Sequence, residues 1–309
     1  MKSNPNQPAT QLPDGSTDTH LHVFEPAEFP YATPRSYTPG VAAFEDMMAL
    51  HGALGVQRRV LVQPSVYGTD NRCMLSAVAR VGQAHCRAIA VVDLASIDAA
   101  GLNALHAGGV RGIRLNLAVR HEADLQRARD QFLLAARAIT RPDWCVQVHC
   151  SGDLLGVLAD ALHAFGVPVV LDHFAGLHPS TAHDAHPALQ ALLHLLASGR
   201  VFVKLSADYR ASETHEPHED LAPLARRLIA QHADRLLWGS DWPHTGGANR
   251  DPAVIEPFRR VDLPGALTRL RGWCGDAAVF EQILVHNPAR LYGFDATPST
   301  PAPLQGAST

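Results

Sequence analysis

Cysteine is scarce and scattered in this chain of 309 residues: Cys73, Cys86, Cys145, Cys150 and Cys274 show no paired spacing. An odd, dispersed set argues against a disulfide framework and reads as reduced thiols of a cytoplasmic protein. Runs of Lys or Arg are missing, and 26 basic against 30 acidic residues leave a formal net charge of -4. That excludes a nucleic-acid footprint. No apolar stretch approaches the roughly 20 residues of a membrane helix. The polar, Pro-rich start from Met1 to Asp18 has no apolar segment of the secretory-signal kind. The Gly-x-Ser-x-Gly elbow, the P-loop and the Gly-x-Gly-x-x-Gly fingerprint are absent too, so serine-hydrolase, NTPase and dinucleotide chemistry lack support. Tyrosine is rare, with five residues, whereas there are 18 His. This excess directs attention to metal and acid–base sites.

What is present is an alternation of short apolar runs and longer amphipathic ones. The short runs, at 17–24, 59–65, 87–93, 112–117, 144–150, 168–174, 201–206 and 236–241, read as strands. Helical patterns cover 42–54, 71–81, 95–107, 122–139, 153–165, 187–197, 219–233 and 277–286. Strand–helix alternation implies parallel pairing. Eight such units in roughly 280 residues predict an α/β fold of the (β/α)8 TIM-barrel type, with a doubly wound sheet as the competing architecture. The expected organisation is one catalytic domain over 17–294, with disordered tails at 1–16 and 295–309.

Side chains alternate faces along a strand. In 112–117, Ile113, Leu115 and Leu117 oppose Gly112, Arg114 and Asn116; in 201–206, Val201, Val203 and Leu205 oppose Phe202, Lys204 and Ser206. The apolar set suits packing under helices. The other set then faces the barrel interior and grows polar toward the C-terminal strand ends, where barrel active sites lie. Four strand ends carry metal-ligand side chains: His20 and His22, then His149, then Asp172 with His173, then Asp241. A His-x-His pair on a strand presents both imidazoles on one face. With an inward His149, His173 and Asp241, nitrogen and carboxylate donors converge on one mouth, as a catalytic divalent metal such as Zn²⁺ requires. Arg114, placed inside the barrel, needs an anion, either a protein carboxylate (Asp93 or Asp241) or a substrate carboxylate. His178, His183, His186, His215 and His218 fall in loops over the site and read as solvated lid positions. His51, His85, His106, His163, His194 and His232 lie in helical patterns and are expected at the surface.

The runs Thr-Asp-Thr-His-Leu-His-Val-Phe, Val-Leu-Asp-His-Phe, Leu-Trp-Gly-Ser-Asp-Trp-Pro-His and His-Asn-Pro-Ala-Arg-Leu-Tyr together resemble the amidohydrolase superfamily. More narrowly, the chain is similar to its 2-pyrone-4,6-dicarboxylate lactonase-like branch, from about Asp18 to Gly293. The resemblance implies a barrel that hydrolyses a small anionic lactone, such as 2-pyrone-4,6-dicarboxylate or a muconolactone, in aromatic-compound catabolism. It implies Asp241 as general base and His20, His22 and His173 as groups that polarise the carbonyl or orient water. It places Tyr37, Ser65, Arg114, Arg120 and Arg210 on substrate carboxylates. The chain departs from the pyrone lactonase in one respect: His149 stands where that enzyme has Tyr and is regarded as working without metal. A His there, as in carboxymuconate-semialdehyde decarboxylases, implies one divalent metal, Zn²⁺ by expectation, on His20, His22, His149 and Asp241. The fourth strand lacks the Lys that bridges two metals, so no second ion is expected. The alternatives are a metal-dependent decarboxylase, a sugar lactonase or lactone isomerase, and a non-catalytic binding barrel. A homo-oligomer is compatible with all of them.

Overall fold

The computed structural model describes residues 10–117, 122–246 and 251–295. Eight strands form its main sheet: β1 (Thr17–Leu21), β2 (Arg58–Val62), β3 (Cys86–Ala90), β4 (Val110–Asn116), β5 (Cys145–His149), β6 (Val169–Leu171), β7 (Val201–Ser206) and β8 (Leu236–Gly239). Each pairs in parallel with the next. The last meets the first through a single bridge, Leu21 to Trp242, with Asp241 N donating to His20 O at 2.8 Å and His22 N to Trp242 O at 2.9 Å. The sheet thus curls into the expected (β/α)8 barrel.

Closure depends on Gly239. A Cβ there would stand 2.6 Å from His20 Cβ, so only glycine lets β8 lie against the strand that carries the first histidine. The barrel interior is layered. Val60, Val62, Ile89, Cys145, Val170, Phe202 and Leu237 pack its lower part with Tyr292. Above them the inward side chains are Arg114, Gln147 and Lys204, all buried. Outward residues such as Ile113, Leu115, Val203 and Leu205 join the larger core under the helices. The polar side chains near the C-terminal mouth are hydrogen-bonded there, while at the opposite end of the barrel the buried Arg58 and Arg87 donate to the Asp295, Tyr292 and Gly293 carbonyls.

Three expectations change. The tail expected over 1–16 overlaps described structure from residue 10. Leu12 packs against the core, and Ser16 is fully buried because it runs beside β2, with Arg58 N donating to its carbonyl at 3.0 Å. A helix at Leu263–Cys274 was not expected. Its buried Leu263, Ala266, Leu267, Leu270 and Trp273 keep a helical period, but Pro264, Gly265 and Gly272 dilute the pattern, and Asp262 caps its start by accepting from Gly265 N at 2.9 Å. The helix expected at 95–107 begins instead at Ala99, where Asp98 caps it.

Candidate active site

The mouth is built around one carboxylate oxygen. Asp241 Oδ1 lies 3.6 Å from His20 Nε2, 3.8 Å from His22 Nε2 and 3.8 Å from His173 Nε2. Each imidazole is fixed through its other nitrogen. His20 Nδ1 faces Asp172 Oδ1 at 3.1 Å, and His22 Nδ1 faces the Val62 carbonyl at 2.7 Å. Carboxylates and carbonyls only accept, and Lys204 Nζ, though 3.3 Å from His20 Nδ1, has the Thr19 carbonyl, Gln147 Oε1 and Asp172 to take its protons, so both rings carry their proton on Nδ1 and aim an Nε2 lone pair at Asp241. His20 Nε2 is buried and has no hydrogen-bond partner among the described residues. Two lone pairs facing a carboxylate oxygen repel unless a cation sits among them. Ligand atoms of His20, His22 and Asp241 lie within 4.8 Å of one another, so this donor set fits one small divalent ion. A second group, His20 with Asp172 and His173, overlaps it. His173 Nδ1 lies 2.9 Å from Ser206 Oγ. Ser206 can donate there and leave His173 Nε2 with a proton facing the cavity.

The other oxygen of Asp241 is occupied. Arg210 Nε donates to Oδ2 at 3.0 Å, and the Tyr209 hydroxyl donates to it at 2.5 Å. Burial alone would raise this carboxyl, but the Arg210 guanidinium on Oδ2 helps to outweigh it, and Asp241 is held well below the usual carboxylate range. Asp241 and His173 also have left-handed backbone, at φ 58 and 48. That conformation costs about 1–2 kcal/mol per residue, a strain that tends to collect at functional sites.

Behind the mouth stands Asp172, which sequence reasoning noted only as a neighbour of His173. It is fully buried and holds His20, Arg114 Nη2 at 3.2 Å and Lys204 Nζ at 3.6 Å. Burial would raise it, yet His20 and Lys204 bring it well below the usual range. Lys204 donates to the Thr19 carbonyl and to Gln147 Oε1, both at 2.7 Å, and burial pulls it down to about 8. Sequence reasoning assigned no role to Lys204 or Tyr209. Inward alternation on β7 was the available signal for Lys204. Tyr209 had none, because it sits on a one-turn helix, Asp208–Ala211, whose orientation is set by tertiary contacts.

Most of the expected site residues meet in one cavity of about 530 Å³, lined by Tyr37, Ser65, Arg114, His149, His173 and Arg210 together with His22 and Asp241. Arg114 finds its anion in Asp172, not Asp93 or Asp241, and its Nε stays buried without a partner among the described residues. Arg210 is turned onto Asp241 and onto Thr245, whose carbonyl it meets at 2.9 Å. His149 lines the cavity with its ring 5.4 Å from that of His173, but it belongs to neither compact ligand group. Its Nδ1 is buried and has no partner among the described residues. Arg120 lies outside the described residues. Among the lid histidines His178 reaches the cavity, and His218 is buried, not solvated, against the Thr214 carbonyl. His51 is also buried, not at the surface: it faces Asp18 at 3.1 Å and accepts from Arg59 Nε at 3.1 Å, which satisfies both nitrogens in the core.

Buried neutral imidazoles make the fold acid-sensitive. Burial brings His22 and His149 down to about 4 and His173 to about 3, and it lowers His20 and His51 as well. An unfolded chain binds these protons near pH 6.5, as the fold does not, so stability is intact above roughly pH 6.5 and is lost as pH falls toward roughly 4 and 3. Calorimetry of the metal-free protein should show the melting temperature dropping steeply below roughly pH 6, with several protons taken up on unfolding. A flat melting temperature from pH 7 to roughly 5 would contradict the neutral-imidazole assignment.

An amidohydrolase family model matches residues 17–294. The chain belongs to the amidohydrolase family. It is 35% identical to a 4-sulfomuconolactone hydrolase of Rhizobium radiobacter, over 91% of this chain and 91% of that protein. It is 33% identical to a 2-pyrone-4,6-dicarboxylate hydrolase of Comamonas testosteroni, over 94% of each. A solved structure from Pseudomonas putida, assigned as a 2-pyrone-4,6-dicarboxylic acid hydrolase, superposes with a TM-score of 0.74 at 30% identity, covering 92% of this chain and 99% of that one. The candidate site lies at the C-terminal mouth of the barrel, the face on which TIM-barrel active sites are built. No helix among the described residues of this hydrolase-family chain is long and apolar enough to cross a membrane.

Proposed function

We propose that this amidohydrolase opens a small anionic lactone of the kind formed in aromatic-compound breakdown, using water deprotonated by Asp241. The observation that carries this reading is the asymmetry of Asp241. One oxygen is tied by Arg210 and Tyr209 while the other faces the histidines, in a cavity that also presents the Arg114 guanidinium. Water attacks the lactone carbonyl carbon and its proton passes to Asp241 Oδ1; as the ring C–O bond breaks, Asp241 returns that proton to the leaving oxygen, giving a carboxylic acid and a hydroxyl or enol and regenerating the base. His173 Nε2–H holds the developing oxyanion. Arg114 anchors a ring carboxylate, with Tyr37 and Ser65 beside it, which supplies orientation. Arg210 keeps the base in register.

A divalent cation of the zinc type, held by His20, His22 and Asp241 with His149 beside them, would polarise the carbonyl and acidify the attacking water. The reading includes one catalytic domain over 17–294 with tails outside it, and a cytoplasmic setting, which the five free cysteines support. The names of the two relatives support the substrate class.

The test is ring opening of 2-pyrone-4,6-dicarboxylate and 4-sulfomuconolactone, followed by ultraviolet absorbance beside neutral lactones. Turnover of neutral lactones alone, or release of carbon dioxide, would overturn the reading in favour of a sugar lactonase or a decarboxylase. Arg114→Met should raise KM for the anionic lactones about tenfold to a hundredfold, the worth of one charged hydrogen-bonding group. Its KM for a neutral lactone should stay within about twofold. An equal rise for both would remove Arg114 as the carboxylate anchor.

A further inference from the structure

A second cavity, of about 350 Å³, opens directly beside the first. Ser65, Arg114, Asn116 and Leu117 line both, so a ligand anchored on Arg114 has access to each side of it. The chemistry of the two is different. The first is rich in histidine and carboxylate. The second has no histidine among its described lining residues; Val91, Val92, Leu94, Leu115, Leu117 and Leu134 form its apolar part, with Gln63, Asn116 and Gln131 as uncharged polar neighbours. Leu134, on the helix Glu122–Ala138, is 37% exposed and is one of the few large apolar side chains left uncovered.

Charge sets what this space can take. Arg114 is the one cation among the described lining residues. At the outer end Asp93 is held as a carboxylate by Ala95 N at 3.0 Å and Ser96 Oγ at 2.7 Å. A second anionic group placed here would face Asp93, and no cation besides Arg114 is among the described lining residues to offset it. An uncharged apolar group would cover Val92, Leu94 and Leu134 and gain by leaving water. The volume, roughly ten water-sized groups, suits an arm of about four to six carbons.

We propose that this cavity is a substrate subsite that takes an uncharged apolar arm carried on the lactone ring beside the carboxylate bound by Arg114. The inference rests on the lactone reading of the main cavity and deepens it. The preferred substrates are then carboxylated lactones with an alkyl or aryl substituent, not the bare dicarboxylate.

The experiment compares kcat/KM for a carboxylated lactone bearing no arm, methyl, propyl, butyl or phenyl, and measures by calorimetry the binding of the matching ring-opened acids. Wild type should gain about threefold in kcat/KM per methylene until the cavity is filled. Leu134→Asp and Val92→Asp should bring the ratio of butyl to unsubstituted lactone down to about one. Leu134→Trp, which fills the space without adding charge, should do the same and guards against a folding artefact. Opening of the unsubstituted lactone with no gain from any arm overturns the subsite and leaves the lactone reading standing. No opening of any lactone, with acids that bind more tightly as the arm grows, overturns the lactone reading and keeps the apolar subsite. Neither turnover nor arm-dependent binding overturns both.

Discussion

Asp241→Asn is expected to lower kcat for lactone opening by about three orders of magnitude, with KM changed by no more than about twofold. The substitution keeps the shape and removes the base. The amide can still meet Arg210 and Tyr209 through its oxygen, but the atom facing the histidines becomes an NH₂ that cannot accept the water's proton. Steady-state kinetics beside a thermal melt separate lost chemistry from lost fold. A kcat within about tenfold of wild type, in a folded variant, would move the base elsewhere. The pH profile gives a second check. Burial pushes the Asp241 carboxyl up, but the adjacent Arg210 guanidinium helps to more than reverse this, so it stays ionised far below neutrality. Protonation of Asp241 in the free enzyme therefore does not set an acid limb near pH 6. Any limb found there belongs to another group or to acid-induced unfolding.

Chelation is expected to have a comparable effect. Removing the divalent ion should reduce turnover by at least about a thousandfold, and Zn²⁺ or Mn²⁺ should restore it. Elemental analysis should find about one ion per chain in wild type and much less in His20→Ala and His22→Ala. Neither variant should recover with added metal, because each removes one of the two Nε2 lone pairs aimed at Asp241 Oδ1. His149→Ala provides the finer comparison. Its ring stands beside the compact ligand group and not within it, so a milder loss of metal content is expected. Full turnover in a chelated, metal-free sample would remove the ion from the mechanism. Water activation would then rest on Asp241, with His20 and His22 acting as polar contacts to the substrate.

Much of this molecule is legible in the chain because the relevant signals are local. Alternation of faces is a property of two neighbouring residues, so Arg114 and Lys204 could be assigned to the barrel interior from β4 and β7 alone. The eight apolar runs announced the barrel for the same reason. Errors came where burial is decided by something distant. His51 lies on a helix that looks amphipathic, yet it is drawn inward by Asp18 on β1, 33 positions earlier. The helix Leu263–Cys274 kept its apolar period but hid behind two glycines and a proline.

The sequence by itself determined the donor chemistry at each strand end: His20 and His22 on the first, His149 on the fifth, His173 on the sixth and Asp241 on the eighth. Strand order and period-two alternation suffice for that. Only the tertiary structure decided how those donors share the site. The stagger and closure of the barrel put His20, His22 and His173 around one oxygen of Asp241, with His149 to the side. They also turned Arg210 and Tyr209 onto the opposite oxygen and set Asp172 behind His20 with Lys204 and Arg114. The physical reason is that a hydrogen bond or a metal ligand is decided within a few tenths of an ångström. Distances between side chains on different strands depend on the packing of the whole barrel, to which no single segment of sequence has access.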